Sequence, residues 1–207
     1  MLKVISGLDA DLTNMVKFHE EFQHLDQTCL VFERLDMSLY DLLEQREWEH
    51  RPLHEIRPVS KQLLVALDAL KGLGVLHTDI KSDNVMFVNR KAQPFRVKLI
   101  DFGSVMMASQ VQLGMEIQPF GYMAPEISLG LPFSEAVDLW GVGLDARRNL
   151  APPTTFEVGK FSLASLRWGE TMPGPIKLSG RALYDDGQMI NSNVINHLTK
   201  ERLGPRT

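Results

Sequence analysis

The sequence predicts an α+β fold, a mainly helical body preceded by a β-hairpin. Val59, Leu63, Leu67 and Leu70 recur on one helical stripe, which predicts a buried central helix over 57–73. Two β-rich runs, MVKFHEEF at 15–22 and TCLVFE at 28–33, flank the polar HLDQ and predict an antiparallel hairpin. A second pair of short runs, 85–88 and 97–100, brackets NRKAQPFR and predicts another hairpin.

Residues 1–13 read as the last turns of a helix and a turn, with Gly7 and Asp9 as stop signals. In the hairpin that follows, Cys29 reads as a small buried hydrophobe on a strand. A short helix over 38–45 has Ser38 as its N-cap and Leu39, Leu42 and Leu43 at helical spacing. Gly72 or Gly74 ends the central helix. Residues 131–144 begin another helix, and Pro152-Pro153 prevents its extension. Residues 151–207 hold five of the eleven prolines and six of the fifteen glycines with weak periodicity, which predicts a poorly packed or partly disordered segment.

A chain of 207 residues suits one good-sized domain, or one lobe with extensions. The net charge of -4 and the lack of a basic stripe argue against a direct nucleic-acid partner. With Cys29 as the single cysteine, neither a disulfide framework nor a cysteine zinc site can form within one chain, and a reducing compartment is the natural setting. No apolar run approaches the roughly 20 residues of a membrane span, so no membrane partner and an intracellular setting, nuclear or cytoplasmic, are expected.

Three motifs carry chemistry: HTDIKSDN at 77–84, DFG at 101–103 and APE at 124–126. Alone, each is a common turn; in this order, with strand context before Asp101, they read as phosphoryl-transfer machinery. Such a reaction needs placement of the acceptor and neutralisation of charge developing on the γ-phosphate. In that reading Asp79 orients a substrate hydroxyl, Lys81 reaches the γ-phosphate, and Asn84 and Asp101 hold Mg²⁺ through oxygen atoms. Phe102 packs beneath Asp101, Glu126 anchors the segment end against an arginine, and Asp138 in DLWGVG accepts backbone N–H bonds from the catalytic loop.

With these motifs, FQHLDQTCLVFERLDMSLYDLL, RVKLIDFGS and APEISLGLPFSEAVDLWGVG, the chain resembles the eukaryotic protein kinases, specifically the homeodomain-interacting protein kinases, over about 14–144. The resemblance implies a protein-kinase-like fold with a remnant N-lobe hairpin and a mainly α C-lobe. It also implies an ATP-dependent serine/threonine kinase that uses Mg²⁺ and acts on a protein substrate or meets a regulatory protein. Phe32 would be the gatekeeper, the backbone of Glu33 to Leu35 the adenine hinge, and Met86 and Ile100 the pocket floor. The implied division is a partial kinase domain over 1–144, with an N-lobe remnant and hinge at 1–35 and a C-lobe at 36–144, followed by a divergent 145–207.

The departures from the family are specific. Its glycine-rich loop, strand lysine and partner glutamate would lie ahead of Met1, while Gly7 is solitary and Lys3 and Lys17 stand elsewhere. Each missing charge-stabilising donor costs about 10²- to 10³-fold in rate, so slow or undetectable catalysis is expected. Thr78 stands where many kinases carry a loop-binding arginine, although the resembled family also lacks arginine there. Glu116 occupies the family's regulatory tyrosine position, and Phe120 and Met123 replace its arginines, so loop control is expected to be lost. The alternative to a kinase is a noncatalytic, pseudokinase-like module that competes with full-length relatives. A small-molecule phosphotransferase is a third reading, disfavoured because APE and DLWGVG belong to peptide-directed kinases.

Overall fold

The computed structural model describes residues 2–150 and the strand residues 183–185 and 188–190. The expectation of poor packing over 151–207 therefore lies largely outside the described residues.

A short helix α1 (Leu2–Ile5) leads through a turn into the hairpin β1 (Phe18–His24) and β2 (Gln27–Phe32). Its two-residue turn holds Leu25 and Asp26 at φ 46° and 60°, a mirror-image turn made without glycine. Phe18 and Phe32 meet edge-to-face at 5.6 Å at the open end, and Cys29, opposite Phe22, is only half-buried. The hairpin does not stand alone. Val16 N–H donates to Leu99 O at 2.9 Å, and Leu99 N–H donates to Asn14 O at 2.8 Å, which joins its base to the second hairpin.

Helix α2 (Leu39–Gln45) starts at Ser38 with a reciprocal cap. Asp41 N–H donates to Ser38 Oγ at 3.0 Å, and Ser38 N–H donates to Asp41 Oδ2 at 2.9 Å. Helix α3 (Leu53–Gly72) buries Val59, Leu63, Leu67 and Leu70, the stripe expected from the sequence. It begins a turn earlier than 57, because Pro52 supplies the extended N-cap and Pro58 is carried inside the helix. Gly74, at φ 65°, closes it in the left-handed conformation that a side chain disfavours.

Strands β4 (Val85–Asn89) and β5 (Gln93–Leu99) form the second hairpin. Gln62 fastens it to α3: its Nε2 donates to Phe95 O at 2.7 Å, and its Oε1 accepts Val97 N–H at 3.1 Å. The sequence reading missed a small ribbon, β3 (Val75–Leu76) paired antiparallel with β6 (Met106–Met107). Two-residue strands have no periodicity to detect, yet this ribbon sets the HTDIKSDN loop, which follows β3, beside the DFG turn, which precedes β6. Helices α4 (Pro125–Ser128) and α5 (Ala136–Leu150) complete the body, and β7 (Leu183–Asp185) pairs with β8 (Gln188–Ile190). Helix α5 continues past 144, with Asp145 and Asn149 buried.

Two apolar clusters hold these elements. The larger joins α2, α3 and the β4–β5 hairpin around Leu39, Leu63, Leu70, Phe87, Val97 and Leu99. The smaller gathers Leu76, Ala124, Ile127 and Val137 under the APE segment. Together they support the two motif-bearing loops from below.

Candidate active site

The site is built on His77. Its side chain is wholly buried; its Nε2 donates to Ile100 O at 3.1 Å, and its Nδ1 accepts Asp79 N–H at 3.3 Å. Those two bonds require the neutral Nε2–H tautomer, and burial lowers the imidazole to about 4. The ring also meets Phe102 edge-to-face at 5.3 Å. One uncharged histidine thus joins the catalytic loop to the DFG turn.

Asp138, in the first turn of α5, fixes the start of that loop from the other side. Its Oδ2 accepts His77 N–H at 2.7 Å, and its Oδ1 accepts Thr78 N–H at 2.8 Å. Burial pushes this carboxyl up to about 6, against the pull of both N–H groups. At neutral pH it is the anion that both donors require. Helix α5 comes this close because residue 141 is glycine: a Cβ there would lie 2.8 Å from Ile80 Cβ and 3.0 Å from Ile80 O.

Asp79, Lys81 and Asn84 come together. Lys81 Nζ donates to Asp79 Oδ2 at 2.9 Å, and that hydrogen bond is the largest influence raising the lysine's pKa. Asn84 Nδ2 donates to Asp79 Oδ2 and to Asp79 O, each at 2.9 Å. With its amide nitrogen so engaged, the amide oxygen of Asn84 is the atom that could meet a cation. Asp79 Oδ1 is buried without a hydrogen-bond partner among the described residues. A buried acceptor left unmatched costs about 1–3 kcal/mol.

Ile100 N–H donates to Asn84 O at 2.9 Å, which brings the DFG turn to the same loop. Asp101 is exposed at φ 60°, and its Oδ1 accepts Gly103 N–H at 3.1 Å. Among the described residues no group of three or more His, Cys, Asp or Glu side chains could hold a metal ion. Asn84 and Asp101 carry the oxygen donors that could hold Mg²⁺, a hard cation that prefers oxygen ligands.

The remaining sequence-predicted residues lie along the strand ends. Glu33 follows β2; its N–H donates to Lys17 O at 2.9 Å, while its Oε1 accepts Lys17 N–H at 2.6 Å and the buried Lys98 ammonium. Lys98 reaches Asp11 as well, at 2.8 Å. Met86 bridges to Ser38, and the Asp36 N–H to Phe87 O bond at 2.9 Å holds the segment after β2 against β4. Leu35, half-buried between these anchors, makes no backbone hydrogen bond among the described residues. Glu126 forms no ion pair among the described residues. Phe120 is 70% exposed and Met123 packs on the smaller apolar cluster, so neither offers a cation near Glu116.

Two buried hydroxyls carry contacts the sequence reading did not find. Thr78 Oγ1 donates to Ser104 O at 2.8 Å, and Ser82 Oγ donates to Asp145 Oδ1 while lying 3.3 Å from Tyr122 Oη. No local signal marks either, since the partners stand 26 to 63 residues away.

Similarity to known proteins agrees with this geometry. The chain is similar to homeodomain-interacting protein kinase 1 of Mus musculus, 47% identical over 143 residues that cover 69% of this chain and 12% of that protein. It is 45% identical to its Caenorhabditis elegans counterpart, over 69% of this chain and 17% of the relative. For homeodomain-interacting protein kinase 4 of Homo sapiens the identity is 41%, over 69% of this chain and 24% of the relative. The chain therefore spans between 12% and 24% of the length of these curated relatives. A crystal structure of a kinase domain superposes with a TM-score of 0.65 at 27% identity, covering 72% of this chain and 50% of that one. Among the described residues no helix is long and apolar enough to cross a membrane. The protein kinase domain model matches residues 2–158, and the chain belongs to that family.

Proposed function

We propose that this chain carries the catalytic-loop half of an ATP-dependent serine/threonine protein kinase site. The observation that carries the reading is the buried, unpartnered Oδ1 of Asp79, beside a lysine and an asparagine already fixed on Oδ2. Asp79, whose side chain is 14% exposed, orients the oxygen of a protein substrate's hydroxyl. Lys81 faces the γ-phosphoryl group. Asn84 and Asp101 would hold Mg²⁺, which when bound would supply positive charge against the phosphate oxygens. Glu33 and Leu35 present backbone groups to adenine, with Met86 and Ile100 beneath it. The setting is intracellular, nuclear or cytoplasmic, and the partner is a protein substrate or a regulatory protein.

A second reading rests on its own observation. The glycines ahead of His77 are Gly7, Gly72 and Gly74, which do not cluster as those of a phosphate-covering loop do, and Lys17 is exposed on the approach to β1. That pattern supports very slow transfer, or a noncatalytic module that binds the partners of full-length relatives. Titration with Mg·ATP followed by melting temperature tests nucleotide binding, because a ligand of the folded state must raise it. The kinase reading expects a rise in wild type, a smaller one in Asp101→Asn, and radiolabel transfer to a generic protein substrate that Asp79→Asn abolishes. A rise without Asp79-dependent transfer favours the noncatalytic module, and no rise at all overturns the nucleotide site.

A further inference from the structure

We infer that the Thr78 hydroxyl is a positioning group that pins the far end of the Asp101 turn to the catalytic loop. The inference deepens the proposed function and rests on its assignment of Asp101 to the metal.

Thr78 is a buried, β-branched residue at φ 67°. That conformation suits glycine or asparagine and is strained for threonine, so the surrounding structure must hold it there. Two bonds do so. Asp138 Oδ1 takes the Thr78 N–H at 2.8 Å, a contact that any residue at position 78 could make. The second bond needs this side chain: Thr78 Oγ1 donates to Ser104 O at 2.8 Å.

Ser104 stands just beyond the DFG turn, and the turn needs that support. Its near end is fixed twice through Ile100, by Asn84 O and by His77 Nε2. Phe102 is packed on His77. Beyond Phe102, Gly103 and Ser104 are exposed, and the Gly103 N–H is occupied by the carboxylate of Asp101 itself. Asp101 is also at a positive φ, 60°. A carboxylate on a strained residue, two positions before a glycine and at the surface, keeps its direction only if both ends of the turn are held. The Thr78 hydroxyl supplies the second hold. Because it acts through Asp101, its effect falls on metal-dependent affinity.

The test compares wild type with Thr78→Ser, which keeps the hydroxyl, and with Thr78→Val and Thr78→Ala, which lack it. Two hydroxyl-free variants are used so that failure of one to fold leaves the other. Amide hydrogen exchange of the ligand-free chain at residues 103–105 is expected to rise roughly 3- to 10-fold in the hydroxyl-free variants and to stay near wild type in Thr78→Ser, the range that loss of one ordinary hydrogen bond gives. Calorimetric titration with Mg·ATP is expected to show affinity weakened by a similar factor, with affinity for ATP in excess chelator unchanged. Equal exchange in wild type and the hydroxyl-free variants overturns the tether. An equal loss of affinity with and without metal overturns the positioning role and leaves a general structural one. If wild type binds no Mg·ATP, the proposed function falls while the exchange comparison still decides the tether.

Discussion

Asp138 reaches back 61 residues to His77 and accepts its backbone N–H at 2.7 Å, with Thr78 taken by the other carboxylate oxygen. One side chain on α5 therefore sets the entry of the catalytic loop. Asp138→Asn puts an amide NH₂ against one of two buried N–H donors, so a donor is left unmatched. A stability loss of about 1–3 kcal/mol is expected in urea unfolding. An unchanged midpoint would show that the loop is held elsewhere.

His77 gives the site a pH signature. Its ordinary value of 6.5 falls to about 4 on burial, so the folded state refuses a proton that the unfolded chain accepts. Its contribution is complete above pH 6.5 and is lost as pH falls toward 4. Asp138 runs the other way: raised from 3.8 to about 6, it binds its proton more tightly when folded, and that contribution is lost as pH rises through 6. Between about 4 and 6 the two slopes oppose each other in wild type. His77→Gln removes only the first. The stability margin of wild type over this variant should narrow by about 2–3 kcal/mol between pH 7 and pH 4.5. A constant margin would mean that the histidine is solvated.

Two glycines on one helix should answer alanine with opposite signs. At Gly141 a Cβ meets Ile80 Cβ at 2.8 Å and its carbonyl at 3.0 Å, whereas nothing lies within 4 Å at Gly143. Gly141→Ala is expected to cost about 1–3 kcal/mol by overpacking the catalytic loop. Gly143→Ala should gain about 0.5–1 kcal/mol from helix propensity. Thermal melts of both variants check this, and the same sign for both would refute the close approach.

Ser82 ties the catalytic loop to the part of α5 beyond 144. Its hydroxyl serves Asp145 and lies near Tyr122 Oη, and Asn149 Nδ2 donates to Asp145 O at 2.6 Å while Asn149 Oδ1 accepts the buried Arg51 guanidinium at 3.2 Å. Ser82→Ala removes a donor from a buried carboxylate and should lower stability by about 1–3 kcal/mol. Unfolding at the wild-type midpoint would show that α5 beyond 144 is not fastened to the loop.

Much of the architecture was legible because its signals are local. The Ser38 cap and Asp41 stand three residues apart, the α3 stripe repeats within a turn, and the β4 and β5 runs flank a short polar turn. Helix α3 starts before 57 because Pro52 supplies its N-cap and Pro58 is carried inside it. The β3–β6 ribbon was missed because two residues per strand carry no pattern.

The sequence by itself determined the order of the motifs, the kinds of side chain available for phosphoryl chemistry, and the hairpins and helices that present them. Tertiary structure alone decided that His77 is neutral, that Asp79 keeps one oxygen without a partner among the described residues, that Thr78 is held at a positive φ, and that Lys98 is buried between Glu33 and Asp11. The physical reason is range. Caps and periodicity act within a few residues along the chain, whereas burial and long-range hydrogen bonds exist only after α5, β3 and the β4–β5 hairpin have packed around one loop.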